Sequence, residues 1–148
     1  MTRQGKAVDG TSCAPGFSGP LADRLAIQEL NAAYGDASTR HDLTAFARLW
    51  AEDATWKHEA IGDLQGRARI TAACGAAFQT YPMVIMRATV GSLAIDGDAA
   101  EARVYVDEVV TNADGQTYRT NGRYDDRYVR QDDTWLFQRR VYTLLHRD

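Results

Sequence analysis

Apolar residues recur at spacings of three and four through residues 21–40. Ala26/Ile27, Leu30, Ala33/Tyr34 and Ala37 form one stripe, and Asp23, Arg24, Gln28 and Glu29 lie mostly off it. That spacing predicts a first helix. Gly35 would weaken it by about 1 kcal/mol relative to Ala, while its missing side chain permits close packing. Asp42 is a suitable N-cap for a short second helix, whose buried face is Leu43, Phe46, Leu49 and Trp50. A strand is expected over 54–60, then a loop bracketed by Gly62 and Gly66. A third helix follows over 67–80, with Ile70, Ala73, Cys74, Ala77 and Phe78 as its apolar side, and Pro82 stops it.

The remainder reads as β. Strands are predicted over 83–95, 99–111, 116–130 and 134–146, separated by Asp96-Gly97-Asp98, by 112–115 and by Gln131-Asp132-Asp133. Aspartate–glycine pairs between β-rich runs are hairpin signals. Helices first and hairpins afterwards indicate an α+β fold. The expected architecture is a curved antiparallel sheet wrapped around a long N-terminal helix and two shorter helices, a cone with an open mouth. The stretch 34–56, from helix end through corner to strand, would organise it. Apolar clefts of this kind are the usual small-molecule sites.

At 148 residues the chain fits one domain. Residues 1–20 hold glycines, prolines and hydroxyl residues with little apolar material, so they are expected to form a flexible tail ahead of a domain at 21–148. The net charge of −3, without basic clusters, argues against broad nucleic-acid binding. Cys13 and Cys74 stand in no metal-ligand spacing, so neither a zinc site nor any other cofactor is expected, and a disulfide between them is disfavoured. No apolar run is long enough to span a membrane and no signal pattern opens the chain, which gives the expectation of a cytoplasmic protein.

Several segments in order resemble the SnoaL-like branch of the nuclear transport factor 2-like (cystatin-like α+β cone) superfamily. They are Ala26-Ile-Gln-Glu-Leu30, Tyr34, Arg40-His-Asp42, the run 49–56 ending in Trp56, Gly62 with Gly66-Arg67 and Ile70, and Ile95-Asp-Gly-Asp98. Gly122 to Asp125, Tyr128-Val-Arg130, Trp135 and Arg139-Arg140 complete the set. The resemblance covers about residues 21–146. It implies the cone fold and, for many members, cofactor-independent proton transfer in an apolar pocket. Dehydratase and dehydrochlorinase types pair an Asp near the end of helix one with a His on the strand after helix three. The matching positions are Thr39 and Met86, or Arg87 if the register slips by one, so that dyad is absent.

Strand alternation nominates other groups. Trp56 and His58 share a face that the resemblance turns inward, and an imidazole suits acid–base work near neutrality. The alternative is a solvent-exposed His58 flanked by Lys57 and Glu59. Tyr105 and Asp107 share one face of their strand, with Val104, Val106 and Val110 on the other. Pattern alone puts the pair in water, whereas the resemblance puts it in the pocket, and the pocket reading is taken. Arg140 matches a pocket arginine of the dehydrochlorinase type, and a β-bulge would be needed to bring it to one face with Trp135 and Phe137. The candidate catalytic set is therefore His58, Asp107 and Arg140. Tyr34, Thr39, Trp56, Met86, Tyr105, Thr120 and Tyr124 are the candidate substrate contacts. His41, at the helix corner, is expected to be a solvated turn residue.

Two functions fit. One is a lyase or isomerase, dehydratase- or cyclase-like, acting on a cyclic, partly apolar small molecule. The other is a non-catalytic binding module, favoured by the missing dyad. Accessory subunits of ring dioxygenases share the fold, but no residue here points to that role. Apolar and aromatic residues on both sheet faces predict a homodimer or higher homo-oligomer.

Overall fold

The computed structural model describes residues 13–148. Its helices are α1 (Leu21–Thr39), α2 (Leu43–Ala47) and α3 (Arg67–Thr80). Its strands are β1 (Phe17–Ser18), β2 (Trp50–His58), β3 (Gly62–Gln65), β4 (Met83–Asp96), β5 (Ala99–Thr111), β6 (Thr117–Gln131) and β7 (Thr134–Arg147). The strands form one seven-stranded sheet in the order β1-β4-β5-β6-β7-β2-β3, giving an α+β fold. No helix among the described residues is long and apolar enough to cross a membrane.

The helices form where the apolar stripes placed them. Ile27, Leu30, Tyr34 and Ala37 of α1 are buried. Asn31, a polar residue, lies in the same buried stripe. The Asp42 carboxylate accepts from the Ala45 amide at 2.9 Å and caps α2, an arrangement worth about 1 kcal/mol. Gly35 lets α1 press onto β4, since a Cβ there would stand 3.0 Å from the Met86 carbonyl oxygen.

Four features differ from the sequence expectation. First, the sheet is mixed: β4 to β7 are antiparallel neighbours, but β2 pairs parallel with β7 and β1 parallel with β4. No hairpin links the strands of either parallel pair, so no tight turn forces them antiparallel. Second, the expected loop after β2 contains a strand, β3, which pairs back onto β2 from His58↔Gly62 to Thr55↔Gln65. Third, α2 ends at Ala47, and Trp50 already belongs to β2. Fourth, Phe17 and Ser18 pair with Leu93 and Ala94, so the expected tail is already ordered there. Gly19, at φ 113°, passes so close to Ile95 that a Cβ would meet its side chain at 2.7 Å. The part of the tail at residues 1–12 lies outside the described residues.

Register shifts show three one-residue bulges. Gly91 is the extra residue of β4 between Val90↔Val104 and Ser92↔Arg103. Gln138 and Leu145 are the extra residues of β7 opposite β6. Bulges bend a strand and increase its twist, which curls the sheet over α1. The bulge at Gln138 also turns Trp135, Phe137 and Arg140 to the same side, where all three are buried.

Candidate active site

The curled sheet, α1, α2 and α3 enclose a cavity of about 530 Å³. Tyr34 of α1, Phe46 of α2, Trp56 of β2 and Tyr124 of β6 meet at its inner end. The Tyr34 and Tyr124 hydroxyls are 3.2 Å apart, and the Trp56 indole N–H donates to the Tyr124 hydroxyl at 3.2 Å. If Tyr124 accepts from both neighbours, its own O–H is free to donate into the cavity. Burial is the main reason both phenols are held above their ordinary pKa, and they remain protonated donors.

Arg140 lies behind this aromatic wall and is fully buried. It makes a two-pronged pair with Asp126, Nε to Oδ1 at 2.9 Å and Nη2 to Oδ2 at 3.0 Å, and Nη2 also donates to Asn31 Oδ1 at 3.1 Å. The Asn31 amide donates to the Tyr128 hydroxyl, and that hydroxyl donates to Asp126 at 2.6 Å. The guanidinium carbon sits 3.9 Å from the Tyr124 ring centre, 4.1 Å from Phe137 and 4.4 Å from Tyr34. Burial opposes its charge most strongly, but Asp126 and the surrounding phenols together hold Arg140 above its ordinary pKa. Its Nη1 has no hydrogen-bond partner.

His58 reaches the cavity from the end of β2. Its ring stacks on Tyr142 with centres 4.2 Å apart and planes 3° from parallel. Gly122 makes this possible, because a Cβ there would lie 2.1 Å from the Tyr142 ring. Burial pushes the imidazole down to about 4, so it is neutral near pH 7. The Ala60 amide donates to Nδ1 at 3.1 Å, which leaves the ring proton on Nε2. His58 is thus an N–H donor and a poor base.

Glu108 lines the same cavity from β5. Burial pushes its carboxyl up to about 7. Its charge acts on Tyr124 and on Tyr142, raising both phenols, so the carboxylate sits near both. Thr120 and Tyr142 line the same wall. Cys74 also lines the cavity, and burial raises its thiol to about 12, which leaves it protonated. Cys13 and Cys74 are both free thiols. Among the described residues no group of three or more His, Cys, Asp or Glu side chains is placed to hold a metal ion.

Of the residues nominated from sequence, His58, Tyr34, Trp56, Met86, Thr120 and Tyr124 line the cavity. The others stand elsewhere. Asp107 and Tyr105 lie on the outer sheet face: Tyr105 is 41% exposed, while Val104, Val106 and Val110 fill the inside. Asp107 pairs there with the Asn121 amide. The alternation of β5 is unbroken from Ala100 to Val106, so the apolar stripe alone fixes the inward parity. Arg140 is packed behind the wall, because Asp126 and Asn31 hold its head there. Thr39 spends its hydroxyl on the sheet, accepting from the Met86 amide at 3.0 Å. Ser38 lines the cavity in its place. His41 is no solvated turn residue: its ring stacks on Phe78 at 4.4 Å and its Nε2 is buried without a partner. Glu108 and Tyr142 were missed, although Glu108 is the one polar interruption of the Val104/Val106/Val110 stripe.

The SnoaL-like domain family matches residues 19–141. This chain belongs to it. A relative of similar length, the uncharacterized protein Rv2910c of Mycobacterium tuberculosis, is 31% identical over 126 residues, spanning 83% of this chain and 86% of that protein. Among solved structures, hexachlorocyclohexane dehydrochlorinase (LinA) Type2 superposes with a TM-score of 0.79 at 23% identity, over 86% of this chain and 88% of its own. A protein of Novosphingobium aromaticivorans provisionally named a scytalone dehydratase gives 0.80 at 17% identity, over 86% and 87%. Those two likenesses establish the shared cone of the SnoaL-like fold.

Proposed function

We propose that this protein is a lyase or isomerase that needs no cofactor and moves a proton on a cyclic, partly apolar small molecule. The observation that carries the reading is Glu108, a carboxyl facing an aromatic cavity with its pKa pushed up to about 7. Such a group is populated as both acid and base near neutrality, the condition for efficient proton transfer. In the proposed step the Glu108 carboxylate removes a proton from a carbon beside a carbonyl. The electron pair moves onto the carbonyl oxygen, where the Tyr124 hydroxyl and the His58 Nε2–H donate to it. Glu108 then returns its proton to another carbon, which isomerises the substrate, or to a departing hydroxyl, which completes an elimination. Arg140 acts as a positioning residue, holding a positive charge behind the Tyr124 ring. The dehydrochlorinase and dehydratase names of the structural neighbours fit the same reaction class.

The test uses 1-tetralone as a bicyclic carbon acid and follows exchange of its α-hydrogens for deuterium by NMR. The wild-type protein is expected to accelerate exchange, and Glu108→Gln to lose roughly 10²- to 10⁴-fold of that acceleration. An unchanged rate in Glu108→Gln removes Glu108 from the role. Binding without any acceleration favours the second reading, a carrier, which the Thr39 and Met86 substitutions at the dyad positions support.

The outer sheet face is the surface for a second copy of the chain. Tyr105 and Ile85 stand 41% and 39% exposed there. Glu101 and Asp125 stand with Arg103, Arg127 and Arg139 around a separate shallow depression, so both charge signs are available to a self-complementary two-fold contact. A monomeric mass by light scattering at high concentration counts against it.

A further inference from the structure

Arg147 closes the row Glu108↔Thr120↔Arg147 across β5, β6 and β7. Two strand spacings separate its Cα from that of Glu108, about 10 Å, and both side chains line the cavity. The Arg147 guanidinium lies over the Tyr118 ring, 4.3 Å from its centre. That contact holds the head group against the cavity wall. Tyr81 lies beside Tyr118 in the cavity lining, and its neighbouring phenol contributes to raising Tyr118. Burial, chiefly, raises Tyr118 to about 12, so the phenol is a donor and not an anion. Among the described residues the ion pairs do not include Arg147. Glu59 and Glu108 share the cavity with it but neither is its partner.

A planar fork of N–H donors with no carboxylate on it, beside two phenol hydroxyls, matches the geometry of a carboxylate. A cavity of about 530 Å³ walled by aromatic and aliphatic side chains takes the body of a cyclic ligand behind that fork. We infer that Arg147, Tyr118 and Tyr81 form an anion subsite at the end of the cavity, and that the natural substrate is a ring-containing carboxylic acid whose carboxylate docks on Arg147. The inference rests on the proposed role of the cavity and names the substrate class for it. A carboxylate anchored there shares the cavity with the Glu108 carboxyl, toward which the labile C–H would lie.

Calorimetric titration with 2-naphthoate and with the uncharged 2-naphthamide at pH 6 tests this. At that pH Glu108 is largely protonated and does not repel the anion. The wild-type protein is expected to bind the carboxylate at least 10-fold more tightly than the amide. Arg147→Gln should erase the preference, Arg147→Lys should keep part of it, and Arg103→Gln, on the outer face, should leave it intact. Arg147 is exposed at the end of β7, so its variants are expected to keep the wild-type unfolding midpoint. Equal binding of the two probes by the wild type, or a preference that survives Arg147→Gln, overturns the inference. Failure of both probes to bind overturns it together with the cavity's role as a ligand site. A carboxylate preference without exchange of 1-tetralone upholds the subsite and removes only the catalytic reading.

Discussion

The Asp126–Arg140 pair allows a stability prediction with an asymmetry that few alternatives share. Both side chains are fully buried, and two parallel bonds of 2.9 and 3.0 Å join them. Asp126→Ala removes both bonds from a guanidinium that already has one unpartnered nitrogen, and takes the acceptor from Tyr128. Arg140 cannot discharge itself by losing a proton. What remains is one bond to Asn31 and three aromatic rings. An uncompensated buried charge costs about 3–5 kcal/mol, out of a total near 5–15 kcal/mol for a domain.

Arg140→Met is the mirror experiment and should cost less. Asp126 is a buried carboxyl and can bind a proton once its counter-ion is gone, keeping its bond with Tyr128. Burial already raises the Asp126 pKa above its ordinary value even beside Arg140, and without the counter-ion it rises further above the unfolded value. The folded state therefore binds more protons, and the variant recovers stability as pH falls toward the unfolded carboxylate range. Asp126→Ala has no such recovery. Urea unfolding of both variants between pH 5 and pH 8 measures the difference. A loss below about 1 kcal/mol for Asp126→Ala, or a larger loss for Arg140→Met at pH 5, would refute the account of the pair as a buried ion pair.

Other outcomes follow from the cavity. Glu108 titrates near 7 when folded and near the ordinary carboxylate value when unfolded, so it makes stability fall as pH rises from about 4.5 to 7. Glu108→Gln should be the more stable protein at pH 8, by about 1–3 kcal/mol relative to the pair's difference at pH 4; a pH-independent difference contradicts this. His58 has the opposite sign: its folded pKa of about 4 makes stability fall as pH drops through 6.5 toward 4. Its imidazole resonances should stay in the neutral form down to about pH 5 in an NMR titration, and protonation near 6.5 would place the ring in solvent. Gly122→Ala puts a methyl 2.1 Å from the Tyr142 ring, against an ordinary contact of about 3.5–4.0 Å. The ring must leave its stack on His58, so the His58 titration should move toward 6.5 at a stability cost of about 1–3 kcal/mol, and an unmoved titration would show that Tyr142 does not shield the ring.

The parts of this fold that were legible in the sequence are those written in local periodicity. The α1 stripe, the Asp42 cap and the Asp–Gly hairpins each depend on residues within a few positions of one another, and each formed. What escaped depends on partners far apart in the chain. Arg140 is held by Asp126 and by Asn31, which is 109 residues away, and it faces inward only because Gln138 is an unpaired extra residue in β7. A bulge breaks the period-two pattern at the point where the pattern is being used. The β2–β7 pairing is likewise invisible, since no turn encodes a parallel neighbour. Asp107 is the opposite case. The Val104/Val106/Val110 stripe alone turns it outward, and here local periodicity is the better guide than family resemblance. The same stripe carries the signal by which Glu108 could have been found, because a carboxyl in an apolar row must be paired, solvated or shifted in pKa. Among the described residues it has no ion pair, and burial raises its pKa. A polar residue that interrupts an otherwise apolar inward row is therefore a more direct pointer to a cavity's titratable group than alignment with the positions at which relatives carry theirs.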